Sequence, residues 1–229
     1  MNIIKTFIAV SGFLICGVVF CAENFNSNQT DGWRYLFDGK STDNWRGYRK
    51  QTFPSTGWKV EDGCLKKIDG QRGGDIITKE QFENYELEWE WRIPPKANNG
   101  VKYFVTEQRP GAPGHEYQMI DDSSIKNRKQ MTASFYDVLP PAEHKPIKLA
   151  PEWNYSRLVV NGNRVEHWLN GEKVLEYECG SPTVMEAISK SKFKNAEGFG
   201  KKIKGYIMLT DHESECWFRN IKIREIKSN

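Results

Sequence analysis

Hydrophobic and polar positions alternate with a period of two over much of this chain. In residues 85–93, five apolar side chains alternate with Glu86, Glu88, Glu90 and Arg92. This alternation is typical of a strand that has one buried face and one solvated face. We therefore predict a strand here, with its three glutamates on the solvated surface.

Two Asn-Gly pairs divide the segment Arg157–Tyr177 into three short runs rich in β-branched and apolar residues. Asn161-Gly162 and Asn170-Gly171 provide the positive φ values that tight turns require. The segment is therefore predicted to be a three-stranded meander.

The rest of the chain also consists of short apolar runs separated by turn residues. A helix is predicted only for Pro182–Lys192. About ten or more short strands in one domain indicate two packed antiparallel sheets, so we predict an all-β, concanavalin A-like jelly-roll sandwich. Further strands are predicted at Trp58–Val60, Cys64–Lys67, Gly100–Val105, Glu116–Ile120, Ser134–Val138, Gly205–Thr210 and Cys216–Glu225.

The first 22 residues contain one cation, Lys5, followed by an apolar run from Phe7 to Phe20. That run is short for a membrane span and has the pattern of a secretory signal peptide. Cys21 offers an alternative, a lipidated cysteine, which would be the only link to a membrane. We expect export to the periplasm or the cell surface, and a single domain over residues 23–229.

Charge and cysteine content narrow the range of partners. The 33 cationic and 30 anionic residues give a net charge of +3 without a cationic block, which argues against nucleic acid as a partner. Cys64, Cys179 and Cys216 lack the paired spacing of a zinc site and are predicted to be buried free thiols. Nucleophile elbows, phosphate loops and dinucleotide fingerprints are absent from the sequence.

Three short segments place ionisable residues where a sandwich does not need them. Glu116 and Gln118 share one face of a predicted strand, where they could bind sugar hydroxyls or transfer protons, or simply form a polar surface. His167 lies between apolar neighbours, a pattern more typical of a core histidine. Asp211 and His212 follow a predicted strand, where a site and a structural turn are equally compatible with the pattern.

Seven short motifs follow one another along the chain. They are residues 36–40 (LFDGK), 57–63 (GWKVEDG), 99–104 (NGVKYF), 116–118 (EYQ), 165–171 (VEHWLNG), 210–212 (TDH) and 217–221 (WFRNI). In this order, the motifs resemble those of the 3-keto-disaccharide hydrolase family. One departure is Thr210 before Asp211-His212 and Glu213-Ser214 after them, where the family usually has Gln and Gly-Asp.

The resemblance implies a jelly-roll enzyme that acts on an oligosaccharide or glycoside whose sugar is a ketone at C3. The ketone acidifies the C2 proton, so that a base removes it, the C1 substituent leaves, and water then adds to the double bond. His212 or His167 would be the base, Lys102 or one divalent metal ion would polarise the ketone, and Glu116 would assist proton transfer.

The resemblance also implies that the site residues, distant in sequence, meet in one pocket. Glu116, His167, Asp211 and His212 carry suitable donor atoms for a divalent ion, but no contiguous motif identifies a metal site. The predicted catalytic residues are Lys102, Glu116, His167, Asp211 and His212, and the predicted substrate-binding residues are Tyr103, Gln118, Asp121 and Tyr136.

Two other functions are compatible with the sequence. A carbohydrate-binding module without catalytic activity shares this fold, since fold does not determine activity. A laminarinase-like glycosidase would use the line Glu116, Gln118 and Asp121, in which Gln118 stands where a carboxylate is needed.

Overall fold

The structure is a computed structural model that describes residues 31–227. The predicted signal peptide, residues 1–22, and the alternative lipidation site at Cys21 lie outside the described residues. Between residues 31 and 227, no helix is long and apolar enough to cross a membrane.

The described chain is built almost entirely from strands. It has one α-helix, α1 (Pro182–Ser189), and two short 3-10 helices at Asp122–Ser124 and Arg128–Gln130. The strands are β1 (Trp33–Phe37), β2 (Trp45–Gly47), β3 (Trp58–Glu61), β4 (Cys64–Lys67), β5 (Ile76–Thr78), β6 (Tyr85–Arg92), β7 (Asn98–Val105), β8 (His115–Ile120), β9 (Asn154–Asn161), β10 (Arg164–Leu169), β11 (Glu172–Glu178), β12 (Tyr206–Leu209) and β13 (Cys216–Glu225).

These strands form two antiparallel sheets that enclose the core. The larger sheet has the order β11-β10-β9-β6-β13-β4-β3, with β1 paired to the remaining length of β13, and the smaller sheet has the order β2-β5-β12-β7-β8. The inner faces bury tryptophan, tyrosine, phenylalanine and branched aliphatic side chains between them. The prediction of an all-β, concanavalin A-like jelly-roll sandwich is confirmed.

Strand β6 shows how the period-two pattern determines the fold. Its apolar residues are buried, as predicted. Its glutamates are less solvated than predicted, because cations from neighbouring strands cover them. The ion pairs are Glu86 with Arg157 and Arg224, Glu88 with Lys222, and Glu90 with Arg219.

Most of the predicted local elements are confirmed, including the meander, the helix and the three buried free cysteines. The strand predicted at Ser134–Val138 is wrong. Ala133 and Asp137 adopt positive φ values of 66° and 62°, which interrupt an extended conformation at both ends of the segment. The segment still follows the edge of β8, where the Tyr136 N–H donates to the Glu116 carbonyl at 3.1 Å.

A chain of hydrogen bonds between histidines and tyrosines joins the two sheets inside the core. Tyr103 on β7 and His115 on β8 belong to the smaller sheet, whereas His167 on β10 and Tyr177 on β11 belong to the larger one. The Tyr103 hydroxyl lies 2.7 Å from His167 Nε2 and 2.6 Å from the Tyr177 hydroxyl. His115 Nδ1 lies 2.8 Å from the same Tyr177 oxygen.

The groups at the two ends of this hydrogen-bonded chain determine which partner is the donor in each of its hydrogen bonds. The Gly200 N–H donates to His115 Nε2 at 3.1 Å, so the proton of neutral His115 is on Nδ1. At the other end, His167 Nδ1 donates to the Ala133 carbonyl at 2.9 Å, so His167 Nε2 is an acceptor. The Tyr177 hydroxyl must therefore donate to Tyr103, and the Tyr103 hydroxyl must donate to His167. This arrangement satisfies the hydrogen-bonding groups of all four side chains only when both imidazoles are neutral.

Burial favours the same neutral state. It lowers the pKa of His167 to about 4, an effect that the hydrogen bond to Ala133 opposes only in part. Burial, with the charge of Arg109 nearby, also lowers the pKa of His115 well below its ordinary value. Protonation of either ring would place a charge in the core and convert an acceptor nitrogen into a donor.

We expect the free energy of unfolding to fall as the pH is lowered from 7 to 5. In this range the unfolded chain protonates both histidines, whose ordinary pKa is 6.5, while the folded protein keeps them neutral. The stability present above pH 6.5 is therefore lost as the pH falls, by about 2 kcal/mol for each histidine at pH 5. Urea unfolding at pH 7, 6 and 5 measures this change.

The window above pH 5 avoids most of the protonation of carboxylates, whose ordinary pKa values are lower. The exposed His144 offers a matched control, since His144→Ala should keep the same pH dependence. A free energy of unfolding that is constant between pH 7 and pH 5 would contradict the neutral hydrogen-bonded chain.

Candidate functional site

The outer face of the smaller sheet carries a row of side chains that crosses all five strands. Strand register places Glu116 beside Lys102, Lys102 beside Met208, Met208 beside Ile77, and Ile77 beside Arg46. The charged residues Glu116 and Lys102 meet at the β7–β8 end of this row. The polar centre of the face lies there.

Gly100 makes room for the carboxylate at this centre. It is on β7, opposite Gln118, and a Cβ atom at this position would overlap Glu116 Oε1. The Glu116 side chain therefore lies against the backbone of β7, which only a glycine at position 100 permits.

Two basic side chains approach the two oxygens of Glu116 from different directions. Lys102 Nζ lies 3.7 Å from Oε2, and His212 Nε2 lies 3.8 Å from Oε1. Burial raises the pKa of the Glu116 carboxyl, but Lys102 and His212 outweigh burial and hold this pKa below its ordinary value. Glu116 is thus a buried, ionised carboxylate, while the His212 ring is partly exposed.

The Lys192 ammonium group is a further positive charge near Glu116. Its Nζ lies 4.1 Å from the centre of the Tyr136 ring, and the backbone N–H of Tyr136 donates to the Glu116 carbonyl. The charge of Lys192 contributes to the lowered pKa of Glu116. Lys192 could not be identified from the sequence, because it follows the helix in a lysine-rich stretch with no motif of its own.

Gln118 lies two residues after Glu116 and shares its face of β8. Its Nε2 donates to Asn98 Oδ1 at 3.0 Å, while its buried Oε1 has no hydrogen-bond partner among residues 31–227. An acceptor that is buried without a partner costs free energy unless a further donor reaches it. The structure thus brings together Lys102, Glu116, Gln118, Tyr136 and His212 from the predicted set.

The carboxylate of Asp211, a predicted catalytic residue, is engaged by backbone N–H groups and by a lysine. Its Oδ2 accepts hydrogen bonds from the Gly73 and Gly74 N–H groups, both at 2.8 Å, and its Oδ1 accepts one from the Glu213 N–H at 2.9 Å. Oδ1 also pairs with the buried Lys67 at 3.0 Å. Asp211 therefore fixes the turn that carries His212 instead of orienting its ring.

The three remaining predicted residues lie away from Glu116. His167 and Tyr103 belong to the hydrogen-bonded chain of the core, so the prediction that His167 shares a pocket with Glu116 and His212 is wrong. Tyr103 faces inward because it alternates with Lys102 on β7. Asp121 accepts hydrogen bonds from the backbone N–H groups of Lys96 and Ser123, which stabilise the turn after β8 and lower its pKa.

The four side chains considered as metal ligands do not converge. His167 is in the core and Asp211 is engaged with Lys67 and backbone amides, which leaves only Glu116 and His212 near one another. No group of three or more histidine, cysteine, aspartate or glutamate side chains within residues 31–227 is arranged to hold a metal ion.

Two cavities flank this site. One, of about 420 Å³, is lined by Arg72, Gly74, Asp211, His212 and Glu213. The other, of about 550 Å³, lies between residues 108–112 of the β7–β8 loop and residues 192–197, which follow the helix. His212 borders the first cavity and Lys192 borders the second, and both side chains act on the Glu116 carboxylate.

Comparison with known proteins identifies relatives over most of the chain. The family described as the 3-keto-alpha-glucoside-1,2-lyase-like domain matches residues 32–224. A 3-keto-disaccharide hydrolase of Bacteroides thetaiotaomicron is 33% identical over 234 residues, which cover 85% of this chain and 78% of that protein.

Solved structures from Parabacteroides distasonis resemble the same region. A candidate glycosyl hydrolase of this organism is 30% identical, has a TM-score of 0.77, and is matched over 86% of this chain and 95% of its own. A second candidate glycosyl hydrolase is 27% identical, with a TM-score of 0.66 and coverage of 85% and 99%.

We expect Lys67→Met to destabilise the protein by about 3 kcal/mol, the cost of breaking a buried ion pair from one side. Lys67 is fully buried, and its Nζ donates to the Ile68 and Gln71 carbonyls as well as pairing with Asp211. Removing the ammonium group leaves the Asp211 carboxylate without its cation. Urea unfolding at pH 7 measures the loss.

The neighbouring Lys66→Met provides the control. Lys66 pairs with Glu61 and Glu215 at the surface, where an ion pair is typically worth about 1 kcal/mol or less. Equal losses of stability for the two variants would contradict a special role for the Lys67–Asp211 pair.

Proposed function

Because this chain belongs to the family of 3-keto-alpha-glucoside-1,2-lyase-like domains, we propose that it cleaves glycosides that carry a ketone at C3. The observation that carries the proposal is the ionised Glu116 carboxylate, held between Lys102 and His212 on the outer face of the smaller sheet. This arrangement combines a candidate base with positive charge, as proton abstraction beside a ketone requires.

The proposed reaction begins at the C2 proton. A ketone at C3 makes this proton acidic, because the electron pair left on C2 is delocalised onto the ketone oxygen as an enolate. The electron pair then forms the C1–C2 double bond, and the C1–oxygen bond of the glycoside breaks. Water adds its hydroxyl group to C1 and a proton to C2, so that the net reaction is hydrolysis.

His212 is the proposed base, and its partly exposed ring is accessible to a substrate. Nε2 accepts the C2 proton, and the ionised Glu116 stabilises the imidazolium that forms. The imidazolium then gives its proton to the oxygen that leaves C1. The lowered pKa of Glu116 favours this electrostatic role over the proton-donor role that the sequence suggested.

Lys102 is the proposed partner of the enolate oxygen. Its ammonium group shares the carboxylate of Glu116, and its side chain is 16% exposed, so it can also face a substrate on this side of the sheet. The charge that develops on the ketone oxygen during proton removal would be stabilised by this group, with Lys192 as a second cation nearby.

The arrangement differs from that of ordinary glycosidases. Those enzymes use two carboxyl groups about 5–9.5 Å apart, on either side of the glycosidic bond. The residue that follows Glu116 on the same face of β8 is Gln118, an amide. A reaction that starts with proton abstraction needs no second carboxylate there.

We expect an α-linked glucose disaccharide oxidised at C3 to be hydrolysed, and the unoxidised disaccharide not to react. Deuterium at C2 of the oxidised substrate should slow the reaction or exchange with solvent, because the C2–hydrogen bond breaks. Product formation and label content are measured by NMR. Cleavage of the unoxidised sugar with full retention of the label would contradict the proposal, as would binding of both sugars without turnover.

In the same assay, His212→Ala should lower kcat/KM about a hundredfold or more, the usual contribution of a positioned base. His144→Ala removes an exposed histidine outside the site and is expected to retain full activity. Activity in the His212→Ala variant equal to that of the control would exclude His212 as the base.

We also expect Gly100→Ala to lower kcat by about tenfold or more. The added methyl group would displace Glu116 Oε1 and separate the carboxylate from His212. Gly47→Ala is the control, because a Cβ atom there meets only the flexible side chain of Lys50. Kinetics of both variants, together with their thermal unfolding, distinguish a displaced carboxylate from a loss of folded protein.

A further inference from the structure

We propose that the cavity between residues 108–112 and residues 192–197 is the site that binds the second sugar of a disaccharide substrate, the group that leaves C1. This inference rests on the proposed function, since it assigns the second half of the substrate for the same site.

The elements that form the cavity walls also carry the groups around Glu116. Strand β7 carries Lys102 and leads into the loop that forms one wall, and Glu116 follows that loop at the start of β8. Lys192 belongs to the other wall, and its ammonium group lies over the Tyr136 ring beside Glu116. A substrate bound at Glu116 that extends along β7 would reach this cavity.

His212 contacts Glu116 from the opposite direction. Strand β12 runs antiparallel to β7, and the Thr210 N–H donates to the Gly100 carbonyl, so His212 lies towards the beginning of β7. The cavity borders the loop at the end of β7. With C2 of the oxidised sugar at His212, the opposite side of Glu116 remains for the substituent on C1.

The residues that line the cavity suit a sugar. Phe193, Pro110, Ala112 and Ala196 provide apolar surface for the C–H groups of a pyranose, and their neighbours include polar groups for its hydroxyls. The polar lining residues are Gln108, Arg109, Lys192, Asn195 and Glu197.

The walls of this cavity are held in place by contacts within the protein. The Arg109 Nε donates to the Ala112 carbonyl at 2.6 Å, and its Nη1 donates to the Glu197 carbonyl at 3.3 Å, so that one side chain joins the two walls. Phe193 stacks on the buried Phe199 with 4.3 Å between ring centroids. A preformed cavity of this kind binds a ligand with little loss of conformational entropy.

The cavity beside His212 has a different composition. Its side chains are charged or polar, from Arg72, Asp211, His212 and Glu213, and it offers no apolar side chain for the face of a sugar ring. It is therefore a poorer match for a second pyranose than the cavity lined by Phe193.

The test compares two substrates in one variant. Ala196→Trp fills the cavity, so kcat/KM for the C3-oxidised α-linked glucose disaccharide should fall at least about tenfold relative to kcat/KM for methyl 3-keto-α-glucoside. The methyl group is too small to occupy the cavity, so the ratio of the two kcat/KM values isolates the contribution of the second sugar. Phe193→Ala should lower the same ratio by removing apolar contact.

Asn163→Trp is the matched control, because Asn163 lines a separate cavity between β9, β10 and β11 and should keep the wild-type ratio. An unchanged ratio in Ala196→Trp, with both substrates turned over by the wild type, would overturn the second-sugar site and leave the proposed function intact. Absence of turnover of either substrate by the wild type would instead reject the proposed function.

Binding of glucose alone provides a readout that does not depend on activity. Glucose titrated into the ¹⁵N-labelled protein should shift the amide signals of Gly111 and Asn195, and Ala196→Trp should abolish these shifts. Shifts confined to Gly74 and Glu213, in the cavity beside His212, would contradict the assignment.

Discussion

The fold depends on a hydrogen-bonded chain that only neutral side chains can form. His115 and Tyr103 extend from the smaller sheet, and Tyr177 and His167 extend from the larger one, so the chain fixes the distance and the register between the two sheets. Because Gly200 and Ala133 define its ends, each hydroxyl and imidazole has one direction for its proton. A sandwich with an entirely apolar core would tolerate sliding of one sheet over the other better than this one does.

The same hydrogen-bonded chain determines where the candidate site forms. Neighbouring residues of a strand face opposite sides, so fixing Tyr103 in the core places Lys102 on the outer face, and fixing His115 places Glu116 there. Lys102 and Glu116 then meet because their strands pair in register, and the glycine on β7 lets the carboxylate approach the backbone. The position of the charged centre is thus a consequence of how the two sheets are joined.

The features that could be predicted from the sequence are those that depend on turn residues and on the alternation of apolar and polar side chains. Period two predicted that Glu116 and Gln118 share a face and that His167 has core neighbours, and both features are present in the structure. It could not predict that Lys67 pairs with Asp211, since that contact joins residues 144 positions apart through the packing of a loop. Lys192 and the irregular segment beside β8 were missed for the same reason, because tertiary contacts and positive φ values at Ala133 and Asp137 determine their positions.

The charge balance around Glu116 is the property that links the fold to the proposed chemistry. A buried carboxylate is expensive unless nearby groups offset its desolvation, and here the ammonium groups of Lys102 and Lys192 and the imidazole of His212 come from three separate parts of the chain to do so. Only the assembled sandwich brings them together. The Lys67–Asp211 pair holds in place the turn after β12, which carries His212. If a proton moves to His212 during the reaction, the new positive charge appears beside an existing negative one. Negative charge that develops on the substrate meets Lys102 on the other side, so the two charges that the proposed step creates are both compensated by groups already in place.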